Sequence, residues 1–494
     1  MLLSLFLLSG ITACGSSGGS AAAPAGGNTV QTGEAAAAGA TSAGGSPEAS
    51  VTGDTTAQKD ETAVPEGQTE GKAAEAASEA AAADAEIPEA PYLRDDGGVS
   101  MDVFAMDTYM TLLAYGTEEG GQAQAEVAVR AAAAEIHSLD ALLSTGSADS
   151  EISKLNAAGG GQVSAVVEDL ILRSQELRKE TDGLFEIAIY PVMKLWGFPS
   201  QEYRVPEKAE IEAALKLADA SAITISDSPA PSPKAAEQET GSAPGKDSTA
   251  ADTAAFAEAA ASAEAAAADI AALSATTAAP AETDAANAEE ADASKEEEAN
   301  ASKAEKSTGK TAVFGIPGMQ IDLGGIAKGY TSSRVMEIFR EHGIEHGLVS
   351  LGGNVQALGT KENGKPWRVA IQNPEDELKY LGVLDITDKC VITSGGYERF
   401  FEQDGRRYHH IIDPRTGYPA ESGLLSATII SDDGALADGL STSLFIMGKE
   451  KAEEYWRAHP WTFDYILEDA DGTLYVTAGA ADILTTDSRT VLIQ

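Results

Sequence analysis

Two long stretches of this chain carry almost nothing worth burying, and they limit every fold it can adopt. Residues 15 to about 90 and 226–312 are built from Ala, Glu, Ser, Thr, Gly and Pro, with hardly any aromatic or large aliphatic side chains. Such segments cannot remove enough apolar surface from water to offset the entropy lost on ordering. They read as a disordered linker over 15–98 and a disordered insertion over 226–312, leaving 99–225 and 313–494 as the ordered part. That remainder suffices for one large domain or two intimately joined ones. The tracts supply about half of the formal net charge of −44, and the rest of the chain is still acidic. A nucleic-acid partner is therefore not expected, because duplex binding needs a basic footprint to displace counterions. Cys14 and Cys390 are the only cysteines. Pairing them would tie a leader to a core strand, so no disulfide framework is expected.

The N-terminal run MLLSLFLLSGITA is apolar but too short to span a bilayer. It ends in Ile11-Thr12-Ala13-Cys14, which resembles a bacterial lipobox, although no Lys or Arg precedes it. The resemblance implies a signal over 1–14, lipidation of Cys14, and anchoring to the membrane on the extracytoplasmic face. Gly15-Ser16-Ser17 then opens the linker, as a tethered domain requires.

Periodicity predicts a strand pair over Val103–Tyr115 and amphipathic helices over Glu118–Leu143, Val166–Thr181 and Pro206–Ala218. After the insertion, order is expected to resume at Val313, with a short strand at Gln320–Leu323 and a helix over Ile326–His342. Strands follow at Gly347–Leu351, Trp367–Ile371, Gly382–Ile386, Cys390–Thr393, Glu398–Glu402, Tyr408–Ile412 and Leu424–Ser431, then a helix over Ala435–Met447. Strands interspersed with helices, without strict alternation, indicate an α+β fold.

Several segments carry groups suited to chemistry. Gly309-Lys310-Thr311 imitates a phosphate-binding loop, but Ala304 stands where the first glycine belongs and no apolar strand leads in. Asp322-Leu-Gly-Gly-Ile-Ala-Lys328-Gly places an acid and two glycines at a helix start, a site for phosphate or ribose, or simply a capped turn. Asp438 and Thr442 stand at i and i+4, so a carboxylate and a hydroxyl share one helix face as hard ligands suited to Mg²⁺. A helix-start carboxylate and a back-bonded Thr would look the same. His409 and His410 are neighbours on an expected strand and face opposite ways. They are a poor zinc pair, and one of them is read as an acid/base or phosphate partner. A hydrolase triad of Ser394, His410 and Asp438 lacks the Gly-x-Ser-x-Gly elbow.

Taken in order, these segments resemble the ApbE family of FAD:protein FMN transferases. The likeness runs through Met106-Asp107-Thr108, Leu143-Ser144-Thr145, Ser150-Glu151-Ile152, Gly183–Ile187, Leu195–Phe198, DLGGIAKGY (322–330), LGGN (351–354), WRVAIQNP (367–374), SGGYERF (394–400), HHIIDPRTG (409–417) and ADGLST (437–442). It implies a two-lobed α+β domain with FAD in the cleft. The activity it implies is Mg²⁺-dependent transfer of FMN from FAD to a Thr or Ser hydroxyl of an extracytoplasmic acceptor flavoprotein, such as a membrane redox-complex subunit or FMN-binding domain. AMP is released. The implied metal ligands are Asp438, Thr442 and the carbonyl of Gly325. Met106, Leu184, Phe185, Glu186, Asp322, Lys328 and His410 are the implied FAD contacts. His410 and Asp322 are the implied catalytic residues, with His410 helping to remove the acceptor proton.

This chain departs from the family at Gly146, where an aromatic often stacks on the flavin, at Glu186 in place of Asp, and at Asp107-Thr108 after Met106. Two other functions use the same residues: an FAD pyrophosphatase giving FMN and AMP, and a non-catalytic flavin-binding lipoprotein. No stretch resembles the family's acceptor motif, so self-flavinylation is not expected.

Overall fold

The computed structural model describes residues 90–227, 307–460 and 462–494. Cys14 with its leader, most of the linker and nearly all of the insertion lie outside them. In chain order the first segment runs β1 (Tyr92–Leu93), β2 (Val99–Ala105), β3 (Thr108–Tyr115), α1 (Gly121–Leu143), α2 (Glu151–Ala158), β4 (Gly160–Ser164), α3 (Ala165–Glu180), α4 (Tyr190–Trp196), α5 (Lys208–Leu215) and β5 (Ile223–Ser226). The second begins with β6 (Ser307–Phe314), α6 (Gly324–Glu341), β7 (His346–Leu351), β8 (Asn354–Leu358), β9 (Trp367–Asn373), β10 (Asp376–Ile386), β11 (Cys390–Gly395), β12 (Phe400–Gln403) and β13 (Arg406–His409). It ends with β14 (Leu424–Ser431), α7 (Gly434–Met447), α8 (Lys449–Ala458), β15 (Asp464–Asp469), β16 (Leu474–Thr477), α9 (Ala478–Ala481), β17 (Leu484–Thr485) and β18 (Thr490–Ile493).

The fold is α+β. Ten strands form the main sheet in the order β1-β2-β3-β7-β8-β11-β14-β15-β16-β18, antiparallel except for the β16–β18 pair. Helices α1 and α6 cover one face of β2, β3 and β7, burying Val129, Ile136, Val335 and Phe339. The other face packs on β9 and β10 through Trp367, Leu384 and Ile386. The helix α7 lies beside α6, and its small residues permit the close approach. A Cβ on Gly329 would stand 2.0 Å from the carbonyl oxygen of Gly434, and one on Gly434 would stand 2.2 Å from that of Gly329. Cys390 is buried and forms no disulfide among the described residues. No helix among the described residues is long and apolar enough to cross a membrane.

Five expectations need correction. The ordered part already includes β1 at Tyr92–Leu93, which pairs with Val99 and Ser100, inside the expected linker. Order resumes by Ser307, because the Gly-Lys-Thr segment is part of β6, whose Thr311 pairs with Gln162 of β4 and Ser226 of β5. Residues 320–323 are not a strand. The Asn156 side chain accepts from the N–H of Ile321 and donates to its carbonyl, and Asp322 N–H donates to Ile187, so these backbone groups need no ladder. The strand β13 ends at His409 and leaves His410 outside it. Finally, the expected Pro206–Ala218 helix is shorter, Lys208–Leu215, with Glu207 and Glu210 forming a reciprocal cap.

Candidate functional site

Asp322 stands just before α6, where its Oδ1 accepts the N–H of Gly324 at 2.8 Å. It thus satisfies one N–H at the helix start from just outside the N-cap Leu323, and its other oxygen has no hydrogen bond among the described residues. Burial raises its pKa, with the Gly324 N–H and the Arg399 charge acting against the rise. The first two turns of α6 then carry Gly325 and Lys328. Gly325 packs on a ring: a Cβ there would lie 3.4 Å from Cε2 of Phe185, and one on Gly439 of α7 would lie 3.3 Å from the same atom. The two helix backbones therefore meet over one aromatic edge, next to Asp438.

Asp438 is 5% exposed. Its Oδ2 accepts the N–H of Gly329 at 2.8 Å, and its Oδ1 accepts the side-chain amide of Asn354 at 3.3 Å. No ion pair neutralises it among the described residues. Burial pushes its pKa up to about 6, with the nearby Lys328 charge and those donors acting against the rise. On the next turn, Ser441 and Ser443 donate back to the carbonyls of Asp438 and Gly439. Thr442 does not. Its Oγ1 lies 3.3 Å from Ser394 Oγ, which also bonds Ser441 Oγ at 2.7 Å. The back-bonding expected of a structural helix hydroxyl thus falls on its neighbours, and Thr442 shares the face of Asp438.

The two histidines part as expected. His409 donates from Nε2 to the carbonyl of Ala420 at 3.1 Å and meets the ring of Phe445 edge-on. His410 turns the other way, and its Nδ1 lies 3.2 Å from the carbonyl of Arg399. A carbonyl only accepts, so Nδ1 carries the proton and Nε2 keeps its lone pair. Desolvation, then the Arg399 charge, hold the His410 pKa well below the ordinary imidazole value. Glu398 reaches solvent at the rim, yet the surrounding walls desolvate it and raise its pKa, against the pull of Lys328 and Arg399. Lys328 therefore acts electrostatically on His410, Glu398 and Asp438 together, which brings the α6, β11–β12 and α7 segments to one place. Ser394 bonds α7 hydroxyls and not His410, so no Ser-His-Asp triad forms.

Two cations at this place, Lys328 and Arg399, and a third, Lys194, bonded to Gln320 just before Asp322, make no ion pair among the described residues. In so acidic a chain, unpaired positive charge suits an anionic ligand. Lys194 hydrogen-bonds Gln320 and stands over the Tyr190 ring, and burial lowers its pKa. Neither Lys194 nor Arg399 was singled out from sequence, because their lack of partners is a property of the fold.

The residues implied as FAD contacts divide. Met106 lies in the β2–β3 turn at φ +49°, followed by Asp107 at +57°, and packs against two core clusters. A positive φ is costly for a bulky side chain and typical of functional turns. Leu184 and Phe185 are buried, Phe185 as the support for Gly325 and Gly439. Glu186 turns its side chain inward: its buried carboxylate accepts from Arg178 and from the N–H groups of Ala188 and Ala220, and so anchors its own loop. Gly146 is exposed, with only Ser144 Oγ within 4 Å of an added Cβ. A separate cavity of about 280 Å³ opens on the opposite face of α7, lined by Leu177, Leu436, Leu440 and Tyr455, away from Asp438.

Among the described residues no group of three or more His, Cys, Asp or Glu is arranged to hold a metal. The donor set of Asp438, Thr442 and the Gly325 carbonyl is hard oxygen with a single charge. Such a set suits Mg²⁺, which completes its shell with water and phosphate oxygens.

The sequence pattern of the ApbE family matches residues 106–268 and 242–467, well over half of the chain. The chain belongs to the ApbE family. Among curated relatives, an FAD:protein FMN transferase of Klebsiella pneumoniae is 47% identical over 136 residues, 27% of this chain and 41% of that protein. One from Treponema pallidum is 40% identical over 185 residues, 35% of this chain and 51% of that protein. The chain thus spans about half the length of the curated relatives it matches. The ApbE protein of Thermotoga maritima superposes with a TM-score of 0.57 at 23% identity, over 78% of this chain and 99% of that one. The flavinyl transferase ApbE of Pseudomonas stutzeri gives 0.54 at 23% identity, over 79% and 94%. These two likenesses show the ApbE fold.

Proposed function

We propose that this ApbE-family protein transfers FMN from FAD to a Thr or Ser hydroxyl of an acceptor flavoprotein, releasing AMP. The observation that carries the reading is the convergence on Lys328 of an uncompensated Asp438 beside Thr442 and a neutral His410 with its Nε2 lone pair available. In the reaction the acceptor oxygen bonds to the FMN phosphorus as the bridging P–O bond breaks. The oxygen of that bond leaves on AMP, and the acceptor proton passes to His410 Nε2. The Arg399 carbonyl holds the His410 ring in the tautomer that can take this proton. Lys194, Lys328 and Arg399 supply positive charge for the pyrophosphate, and the N–H groups at the start of α6 add the positive helix end. Asp438, Thr442 and the Gly325 carbonyl would hold Mg²⁺, which when bound neutralises pyrophosphate charge and polarises the attacked phosphorus.

Cys14 lies outside the described residues. Its lipobox-like context supports attachment to the extracytoplasmic face of the membrane, where the acceptor is a membrane redox-complex subunit or an FMN-binding domain. Cys14→Ala is expected to move the protein from the membrane fraction to the soluble one.

The test is mass spectrometry of an FMN-binding acceptor domain incubated with FAD, Mg²⁺ and this protein. The acceptor should gain one FMN group with one AMP released, and Asp438→Ala should abolish both. Release of free FMN and AMP with an unmodified acceptor would replace transfer by FAD pyrophosphatase activity. Turnover unchanged in Asp438→Ala would sink both enzymatic readings and leave a flavin-binding lipoprotein.

A further inference from the structure

The Leu351-Gly352-Gly353-Asn354 segment does more than turn the chain. Gly352 and Gly353 have φ of +60° and +99° and form the two-residue connection between β7 and β8. A Cβ on Gly352 would stand 2.2 Å from Thr108 Oγ1, so the turn is seated against the start of β3 and its register is fixed. Asn354 consequently pairs across from Leu351, with a side chain only 3% exposed.

Alternation along β8 sends Val355 to the opposite core and returns Gln356 to the face of Asn354. Gln356 is also buried, and its Oε1 accepts from Ser332 Oγ at 2.6 Å and Ser333 Oγ at 3.3 Å, both on α6. Ser333 Oγ in turn accepts the N–H of Gly434, the first residue of α7, at 3.1 Å. One polar face of a core strand therefore ties both helices at their Gly329–Gly434 crossing. Asn354 stands at the end of that face, and its side-chain amide has a single hydrogen-bond partner among the described residues, Asp438.

We propose that Asn354 is a positioning residue. With the N–H of Gly329, its amide fixes the orientation in which the Asp438 carboxylate binds a divalent cation. Each Asp438 oxygen accepts one donor and keeps lone-pair capacity on the side away from it, so the two contacts set direction without filling the carboxylate. Outer-shell partners of metal ligands govern affinity, and the Asn354 amide bonds no other described group, so its effect runs through Asp438.

This inference rests on the metal reading of Asp438, and the experiment separates the two. Mn²⁺ is titrated into the full chain without FAD, by the loss of its free-ion electron paramagnetic resonance signal, for the wild type, Asp438→Ala, Asn354→Leu and Asn354→Ser. Asn354→Leu keeps the volume and removes the donor, and its Mn²⁺ affinity is expected to fall about 10–100-fold. Asn354→Ser keeps a shorter hydroxyl and is expected to fall by less. In turnover, raising Mg²⁺ should restore most of the kcat lost in either variant, because the defect is in cation binding. If Asp438→Ala loses Mn²⁺ while both Asn354 variants bind it as the wild type does, the positioning role is wrong and the metal reading stands. Mn²⁺ binding unchanged in Asp438→Ala overturns both. Should Asn354→Leu fail to fold by circular dichroism, Asn354→Ser decides alone, with unchanged affinity counting against the proposal.

Discussion

The backbone N–H of Gly329 donates to Oδ2 of Asp438 at 2.8 Å, so a carboxylate of one helix is held by the main chain of another. That contact exists only because residue 329 has no side chain. A Cβ there would stand 2.6 Å from the Cβ of Asp438 and 2.0 Å from the Gly434 carbonyl oxygen, neither of which can swing away. Gly329→Ala is therefore expected to spread α6 from α7, costing roughly 1–3 kcal/mol as overpacking does. Urea unfolding should show the lower midpoint, and Mn²⁺ titration of the folded variant a weaker site.

His410 should behave as a base that stays neutral in mild acid. Its pKa is held well below the ordinary imidazole value by desolvation and the Arg399 charge, and only the neutral ring can accept a proton. Lowering the pH through the usual histidine range should thus leave its contribution to kcat intact, with loss appearing only at more acid pH. His410→Gln is expected to cut kcat by about 10²–10⁴-fold. FAD binding, followed by flavin fluorescence, should weaken far less than kcat falls. Asp438, its pKa raised to about 6, also titrates in that range, so the decisive comparison is with His410→Gln: a break near the ordinary histidine pKa that disappears in the variant would count against this role.

How much of this was legible beforehand depends on how far each residue's partners lie along the chain. Asp438 and Thr442 could be paired on one face because i,i+4 spacing is local. The divergence of His409 and His410 followed from neighbouring positions alone. Residues 320–323 misled because Gln-Ile-Asp-Leu alternates like a strand, whereas their hydrogen bonds come from Asn156, 165 positions away. The Glu186 carboxylate is occupied by Arg178 and two backbone N–H groups, partners that the sequence around it does not show. Asn354 and Arg399 fell inside the LGGN and SGGYERF segments without a role of their own, and Lys194 gave no signal. Their importance lies in which charges they meet or fail to meet, and tertiary structure alone decides that.

Glu468 offers a test of buried charge on a core strand. It is 3% exposed on β15, its carboxylate accepts from Ser426, and burial pushes its pKa up to about 7. A carboxyl pKa raised in the fold means that the folded state holds the proton more tightly than the unfolded chain. Stability is then fully present below the unfolded glutamate value and is lost as pH rises through about 7. Glu468→Gln removes the ionisation, and its gain over wild type should grow between pH 5 and pH 8 to at most roughly 3 kcal/mol. Thermal unfolding at the two pH values measures it. An equal effect at both would mean that the carboxyl ionises normally in the fold.

The insertion leaves and rejoins the domain between two paired strands, since Ser226 of β5 lies opposite Thr311 of β6. A short turn can close such a hairpin. Replacing residues 228–306 by a Gly/Ser-rich connection should preserve the fold, because each halving of loop length changes closure entropy by only about 0.6 kcal/mol. Calorimetric unfolding should show a transition at least as stable as that of the full chain, with FMN transfer retained. Loss of transfer with the fold intact would assign residues 228–306 a part in the reaction or in acceptor binding.

Gly146 is where flavin affinity should be open to improvement. The family often carries an aromatic there, and this chain leaves the position exposed, with Ser144 Oγ at 3.8 Å as the only atom near an added Cβ. Its φ is not among the positive ones, so a side chain can be added without backbone strain. Gly146→Tyr should let a ring stack on the flavin, a contact worth about 0.5–1.5 kcal/mol in aromatic pairs. Quenching of flavin fluorescence on titration would report it, with FAD binding several-fold tighter than in wild type. His410→Gln in the same background should keep the tighter binding and still lack transfer, which would place residue 146 in flavin binding and His410 in the chemical step. Unchanged affinity in Gly146→Tyr would mean that the isoalloxazine ring lies elsewhere in this chain.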